Sequence, residues 1–123
     1  MEMLSSPQQY LFHLKTTSPG EAKRLWRQKI KDEWENSCAY CGSEDHLTID
    51  HVVPKARGGA DFTKNVVCAC HECNQDKGHT PWEEWYNSQE FFSMQRYEKI
   101  KEWMKPDPPS HLYAYRKRRN NAS

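Results

Sequence analysis

Cys38-Ala39-Tyr40-Cys41 and Cys70-His71-Glu72-Cys73 form two Cys-x-x-Cys pairs with 28 residues between them, and no other feature constrains the chain as strongly. Each pair can present two thiolates along one edge of a tetrahedral ion, and four thiolates close the coordination sphere of a structural Zn²⁺. The gap is longer than the ~15 to 20 residues of a plain double-knuckle site, so a functional insertion is expected between the knuckles. The fifth cysteine, Cys68, and His46, His71 and His79 are further candidate ligands. The two matched spacings favour Cys38, Cys41, Cys70 and Cys73, which leaves Cys68 as a small buried residue of a strand.

A chain of 123 residues is the size of one domain, and with 36% hydrophobic and 28% charged residues its core must be thin enough to gain from such a staple. Met1 to Pro7 carries an acid and no basic start, and no stretch approaches the ~20 apolar residues of a membrane span. The expectation is therefore a soluble, cytoplasmic chain without a membrane partner, in which reduced cysteines bind metal rather than form disulfides. The net charge of +1 hides an asymmetry: Arg116, Lys117, Arg118 and Arg119 lie in a tail that has no acid from Ser110 onward, while the preceding part holds 14 basic and 17 acidic residues. Nucleic-acid affinity must then come from local patches.

Residues 1–17 read as a polar leader whose Tyr10, Leu11, Phe12 and Leu14 can dock on the core. Ser18-Pro19-Gly20-Glu21 is a capping box with proline at the first helical position. The helix it opens has an apolar stripe of Ala22, Leu25, Trp26, Ile30 and Trp34, with Lys23, Arg24, Arg27 and Lys31 on the other faces. From Asn36 to Gly78, the short β-prone runs Leu47–Ile49, Val52-Val53 and Val66-Val67 predict a hairpin followed by a short helix. Thr80-Pro81-Trp82-Glu83 reads as a second capping box, and a longer helix is expected from about Gln89 to Lys105, where Pro106 stops it. The domain is thus placed at 18–105, with 106–123 as a proline-rich linker and basic tail.

Asp50-His51-Val52-Val53-Pro54, Gly58-Gly59, Asn65-Val66-Val67 and Cys73-Asn74-Gln75-Asp76-Lys77 follow one another between and just after the knuckles. In order and spacing this core, residues 38–77, resembles the HNH endonucleases that have a zinc ribbon woven through the fold. The resemblance implies an α+β fold: a small ββα-metal (His-Me finger) core with a four-cysteine zinc site, flanked by N- and C-terminal helices. It also implies roles. His51 would be the general base, Asp50 and Asn74 would hold a catalytic divalent ion, and Asn65 would orient the loop that carries the histidine. Asparagine at position 74 makes Mg²⁺ or Mn²⁺ the expected ion, because an amide oxygen is a hard ligand.

The chemistry requires such groups independently of any family. Phosphodiester hydrolysis needs an activated water, charge stabilisation at the phosphoryl oxygens and a means of neutralising the leaving oxygen. One imidazole and one hard dication can supply all three. Adjacent strand residues point to opposite faces, so the chain is expected to leave regular geometry near His51 if Asp50 and His51 are to meet one phosphate. Asn74 and Lys77 are three apart and should share a helix face, with Lys77 contacting phosphate. Lys55, Arg57, Arg116, Lys117, Arg118 and Arg119 are the other candidate DNA contacts, the last four in a segment, His111 to Arg119, that also carries the aromatics Tyr113 and Tyr115 and suits backbone tracking and base stacking.

The expected activity is DNA nicking, one strand per site; monomer and homodimer both remain open. The size fits a phage or mobile-element nuclease, a homing enzyme or a restriction-type enzyme, and for a phage-encoded chain the place of action would be the host cytoplasm. The competing class is a non-catalytic zinc module that binds nucleic acid or protein, which leaves Asp50, His51, Asn65, Asn74 and Lys77 jointly unexplained.

Overall fold

The computed structural model describes residues 4–14 and 18–105. The basic tail with Arg116, Lys117, Arg118 and Arg119 lies outside them. The segment expected to be a polar leader contains a helix, α1 (Pro7–Leu14). Pro7 suits its first turn, where no intrahelical partner awaits an N–H. Tyr10 is buried, and Thr63 ties the start of this segment down by donating its N–H to Ser5 O at 2.8 Å and its hydroxyl to Leu4 O at 2.6 Å.

The second helix, α2 (Pro19–Glu33), starts as the sequence predicts, with Ser18 Oγ accepting from the Glu21 N–H at 3.2 Å. The reciprocal half of the capping box is replaced by an ion pair, because Glu21 turns to Arg24. Ala22, Trp26, Ile30 and Trp34 are buried, Leu25 is partly so, and Lys23, Arg24 and Arg27 are exposed, which makes this the expected core stripe.

Two strands, β1 (Leu47–His51) and β2 (Val66–Cys70), pair antiparallel with Asp50 opposite Val67 and His51 opposite Val66. Val52-Val53, expected to be β-prone, lies beyond β1: the chain bends immediately after His51 and makes a long loop with 3-10 turns at Lys55–Arg57 and Thr63–Asn65. Every residue of β2 is buried, so both of its faces are covered. Cys68 is among them, as expected, and its carbonyl accepts the Ala39 N–H at 2.7 Å, which straps the first knuckle to the strand.

Helix α3 (His71–Lys77) follows β2 directly, capped by Cys70. Two expectations for the C-terminal half need correction. Helix α4 (Trp82–Asn87) forms, but Pro81 occupies its cap position and makes no side-chain cap bond, so the second capping box is not used. Helix α5 spans only Met94–Met104 rather than beginning near Gln89; its N-cap is Ser93, whose Oγ accepts the Arg96 N–H at 3.3 Å. Ile100 is its fully buried residue, and Trp103 bolts the helix to β2 by donating Nε1–H to Val66 O at 2.8 Å. No helix among the described residues is long and apolar enough to cross a membrane.

Candidate active site

The four paired cysteines converge. Their sulfurs lie within 4.8 Å of one another, forming a group that can hold a metal ion, and Cys38, Cys70 and Cys73 are buried. A Zn–S bond of about 2.3 Å implies tetrahedral sulfur pairs about 3.8 Å apart, and Cys41 Sγ stands 3.8 Å from Cys70 Sγ. In each knuckle the first sulfur accepts the backbone N–H of the second cysteine, Cys41 to Cys38 at 3.5 Å and Cys73 to Cys70 at 3.4 Å. Four thiols so close cannot all ionise unaided. A hydrogen bond from Cys73 draws the Cys38 thiol down to about 4, the same interaction pushes Cys73 up, and burial raises Cys41 to about 11. A divalent cation removes that conflict, so the donor set fits a soft-ligand metal.

Both knuckles reach into the strand pair. From the first comes Tyr40, fully buried, which donates its hydroxyl to Asp50 Oδ2 at 2.6 Å. Tyr86 of α4 holds Tyr40 in place by donating to its carbonyl at 2.7 Å. From the second comes α3, where Asn74 Nδ2 donates to Thr48 Oγ1 at 3.0 Å and to Ile49 O at 3.3 Å. Thr48 and Asp50 alternate onto the same face of β1, and α3 covers that face: Lys77 Nζ lies 3.2 Å from Asp50 Oδ2 and donates to His51 O at 2.9 Å. The Asn74 side-chain oxygen takes no hydrogen bond among the described residues.

This geometry corrects the expected role of Lys77. Its side chain is wholly inaccessible and serves as the counter-ion of Asp50, so it offers no surface to a phosphate. Asp50 is likewise enclosed, with only 5% of its side chain exposed. Burial pushes its carboxyl above the usual range despite Lys77 and Tyr40, so these two partners only partly offset its desolvation.

His51 leaves β1 on the opposite side and stays a quarter exposed, its Nε2 2.6 Å from Asp61 Oδ1. The bend that follows is clipped by Asn65, whose Oδ1 accepts from Val53 N at 3.0 Å while Nδ2 donates to Val53 O at 3.1 Å and Ala60 O at 3.0 Å. The clip needs Gly59: a Cβ there would sit 1.7 Å from Val53 O and 2.9 Å from Asn65 Nδ2. Lys55 and Arg57 stand exposed on the same loop, Lys55 Nζ 3.3 Å from Asp61 Oδ2 and Arg57 hydrogen-bonded to His79 O.

Tyr40 and Asp61 were not found by reading the sequence. Tyr40 was visible only as filler inside a knuckle, and a polar aromatic between two ligands that pack against a strand is the signal that could have marked it. Asp61 lies ten residues after His51, just past the Gly58-Gly59 turn. An acid returning toward a histidine through a tight turn was its available cue.

A two-stranded antiparallel sheet with a long connecting loop, a helix packed on one face and an imidazole at the strand end defines a small α+β core of the ββα-metal (His-Me finger) class. Residues 38–88, less than half of the chain, match the model of the HNH endonuclease family. The CRISPR-associated endonuclease Cas9 of Corynebacterium diphtheriae is 43% identical over 65 residues, covering 50% of this chain and 6% of that protein. The "SPbeta prophage-derived putative HNH endonuclease YoqL" of Bacillus subtilis is 40% identical over 92 residues, covering 63% of this chain and 39% of the relative. The match therefore takes in well under half the length of either relative.

Proposed function

We propose that this chain is a divalent-metal-dependent DNA endonuclease that nicks one strand per site, with His51 as general base, Asp50 and Asn74 as ligands of one Mg²⁺ or Mn²⁺ and Zn²⁺ held by the four cysteines. The observation that carries the reading is the coincidence of the HNH match with a partly exposed imidazole at the end of β1, next to the buried Asp50. A hard dication held by Asp50 and Asn74 would supply positive charge against the phosphoryl and leaving oxygens. The residues fit it on two counts: the Asn74 amide oxygen takes no hydrogen bond among the described residues, and the Asp50 carboxylate lies on the strand face that α3 covers.

In this reading His51 takes the proton of the attacking water, and Asn65 fixes the bend that holds His51 at the strand end. Tyr40 and Lys77 hold Asp50, and Thr48 holds Asn74 with its oxygen turned away from the strand. Lys55 and Arg57 contact the phosphate backbone, and the tail of Arg116, Lys117, Arg118 and Arg119 adds salt-sensitive affinity. The prophage origin of one relative supports a phage or mobile-element setting, with action in the host cytoplasm.

The enclosure of Asp50 behind Lys77 is the observation that favours a non-catalytic zinc module instead. Supercoiled plasmid incubated with Mg²⁺ or Mn²⁺ separates the two. The nuclease reading expects metal-dependent nicking, with Asn74→Ala requiring more metal for the same rate. Binding of DNA with no nicking under either metal would establish the module.

A further inference from the structure

Asp61 fills none of the roles assigned so far, and its carboxylate is divided between two partners: Oδ1 faces His51 Nε2 at 2.6 Å and Oδ2 accepts from Lys55 Nζ at 3.3 Å. With each oxygen occupied, the carboxylate resists rotation. Its backbone is placed by the same residue that shapes the histidine loop, since Asn65 Nδ2 binds both Val53 O and the carbonyl of Ala60, the residue before Asp61. The pair is partly shielded, with side-chain exposures of 24% for His51 and 30% for Asp61, so it is less screened than a fully solvated ion pair. The hydrogen bond from His51, aided by Lys55, holds the Asp61 carboxyl below the usual range.

An ionised carboxylate accepts and cannot donate, so His51 Nε2 must carry the proton in this contact. A neutral imidazole has only one such proton, which leaves the lone pair on Nδ1. Nδ1 takes no hydrogen bond among the described residues.

We propose that Asp61 is the positioning residue of the nuclease site: it fixes His51 as the Nε2–H tautomer, leaves Nδ1 as the base, and stabilises the imidazolium that forms during the reaction. The step balances simply. One O–H bond of water breaks and its proton bonds to Nδ1; the oxygen's electron pair forms a bond to phosphorus while the bond from phosphorus to the leaving oxygen breaks, and that oxygen takes a proton from solvent. His51 is then protonated on both nitrogens beside an Asp61 that stays ionised, and it later returns the Nδ1 proton to solvent. The same division of labour, a carboxylate orienting the imidazole without taking its proton, recurs wherever a histidine base must be held in one tautomer.

This inference rests on the nuclease reading for its kinetic half, but its structural half can be read without turnover. In ¹⁵N-labelled full-length protein, long-range proton–nitrogen spectra should show His51 protonated at Nε2. Asp61→Asn, whose amide can turn its NH₂ group toward the ring, should lose that pattern and lower kcat about 100-fold with KM nearly unchanged. Asp61→Glu should restore part of both. An Nδ1-protonated His51 in the native protein would overturn the assignment, as would Asp61→Asn with native kcat and only reduced stability. An Asp61-dependent tautomer in a protein that cuts no DNA with any metal would support the assignment at the imidazole and overturn the nuclease reading.

Discussion

Tyr40 donates its hydroxyl to Asp50 at 2.6 Å in a site where both are buried, so the first cysteine knuckle is joined to the candidate metal ligand by a single hydrogen bond. The second knuckle makes the matching connection through Asn74, which follows Cys73 directly. The cysteine cluster and the candidate catalytic residues are thus one assembly, joined at the same strand.

Tyr40→Phe removes the hydroxyl and leaves Asp50 with Lys77 as its remaining partner. Leaving a buried acceptor short of a donor costs about 1–3 kcal/mol. We expect a urea midpoint lowered by that free energy divided by an unchanged slope, and a higher metal concentration needed for the same cleavage rate. An unchanged midpoint would mean that the contact contributes nothing to the folded state.

Lys77 and the loop cations should separate cleanly. Lys77→Met leaves a buried carboxylate without its counter-ion, and breaking such a pair from one side costs about 3–5 kcal/mol. The variant should be markedly less stable, yet the salt dependence of DNA binding by its folded fraction should be unchanged. Lys55→Ala and Arg57→Ala should do the reverse, keeping stability and reducing the slope of log affinity against log salt by about one unit each. A reduced slope in Lys77→Met would show that its ammonium reaches phosphate after all.

Removal of the structural metal should abolish cleavage even in excess Mg²⁺, because the cysteine cluster positions both Tyr40 and α3. Loss of the ion removes binding energy that is also folding energy. Chelation followed by thermal melting and a plasmid assay checks both effects, and full activity in a zinc-free preparation would contradict the coupling.

Asp61 sets a pH dependence of stability. Its folded carboxyl lies below the ordinary value, chiefly through the His51 hydrogen bond. The unfolded chain then binds the proton more tightly, so the contribution is fully present above the unfolded carboxylate value of about 3.9 and is lost as pH falls through the lower folded value. Native protein should be more stable than Asp61→Asn near neutrality, with the gap closing below about pH 4. A gap that persisted or widened in acid would reverse the sign.

Much of the core was legible because its constraints are local. The capped start of α2, the two knuckles and the order of Asp50, His51, Asn65 and Asn74 are fixed by spacings of a few residues, and the strands formed where β-branched residues clustered. What escaped depends on partners far along the chain. The three-residue spacing placed Asn74 and Lys77 on one helix face but did not reveal that this face turns inward, onto Asp50, rather than outward to DNA. Thr80-Pro81-Trp82-Glu83 matched a capping pattern, yet Pro81 took the cap position, and the start of α5 followed Ser93 because its hydroxyl supplied the cap that Gln89 lacks. Tyr40 and Asp61 acquire their roles only when a knuckle and a loop fold back onto β1.

The central claim, that the imidazole at the end of β1 is the base of a phosphodiester hydrolase, is tested most directly by comparing native protein with His51→Ala in single-turnover nicking of supercoiled plasmid with Mn²⁺. Loss of one general base predicts a rate lowered at least about 100-fold at unchanged DNA affinity. Equal nicking by both proteins would contradict the account.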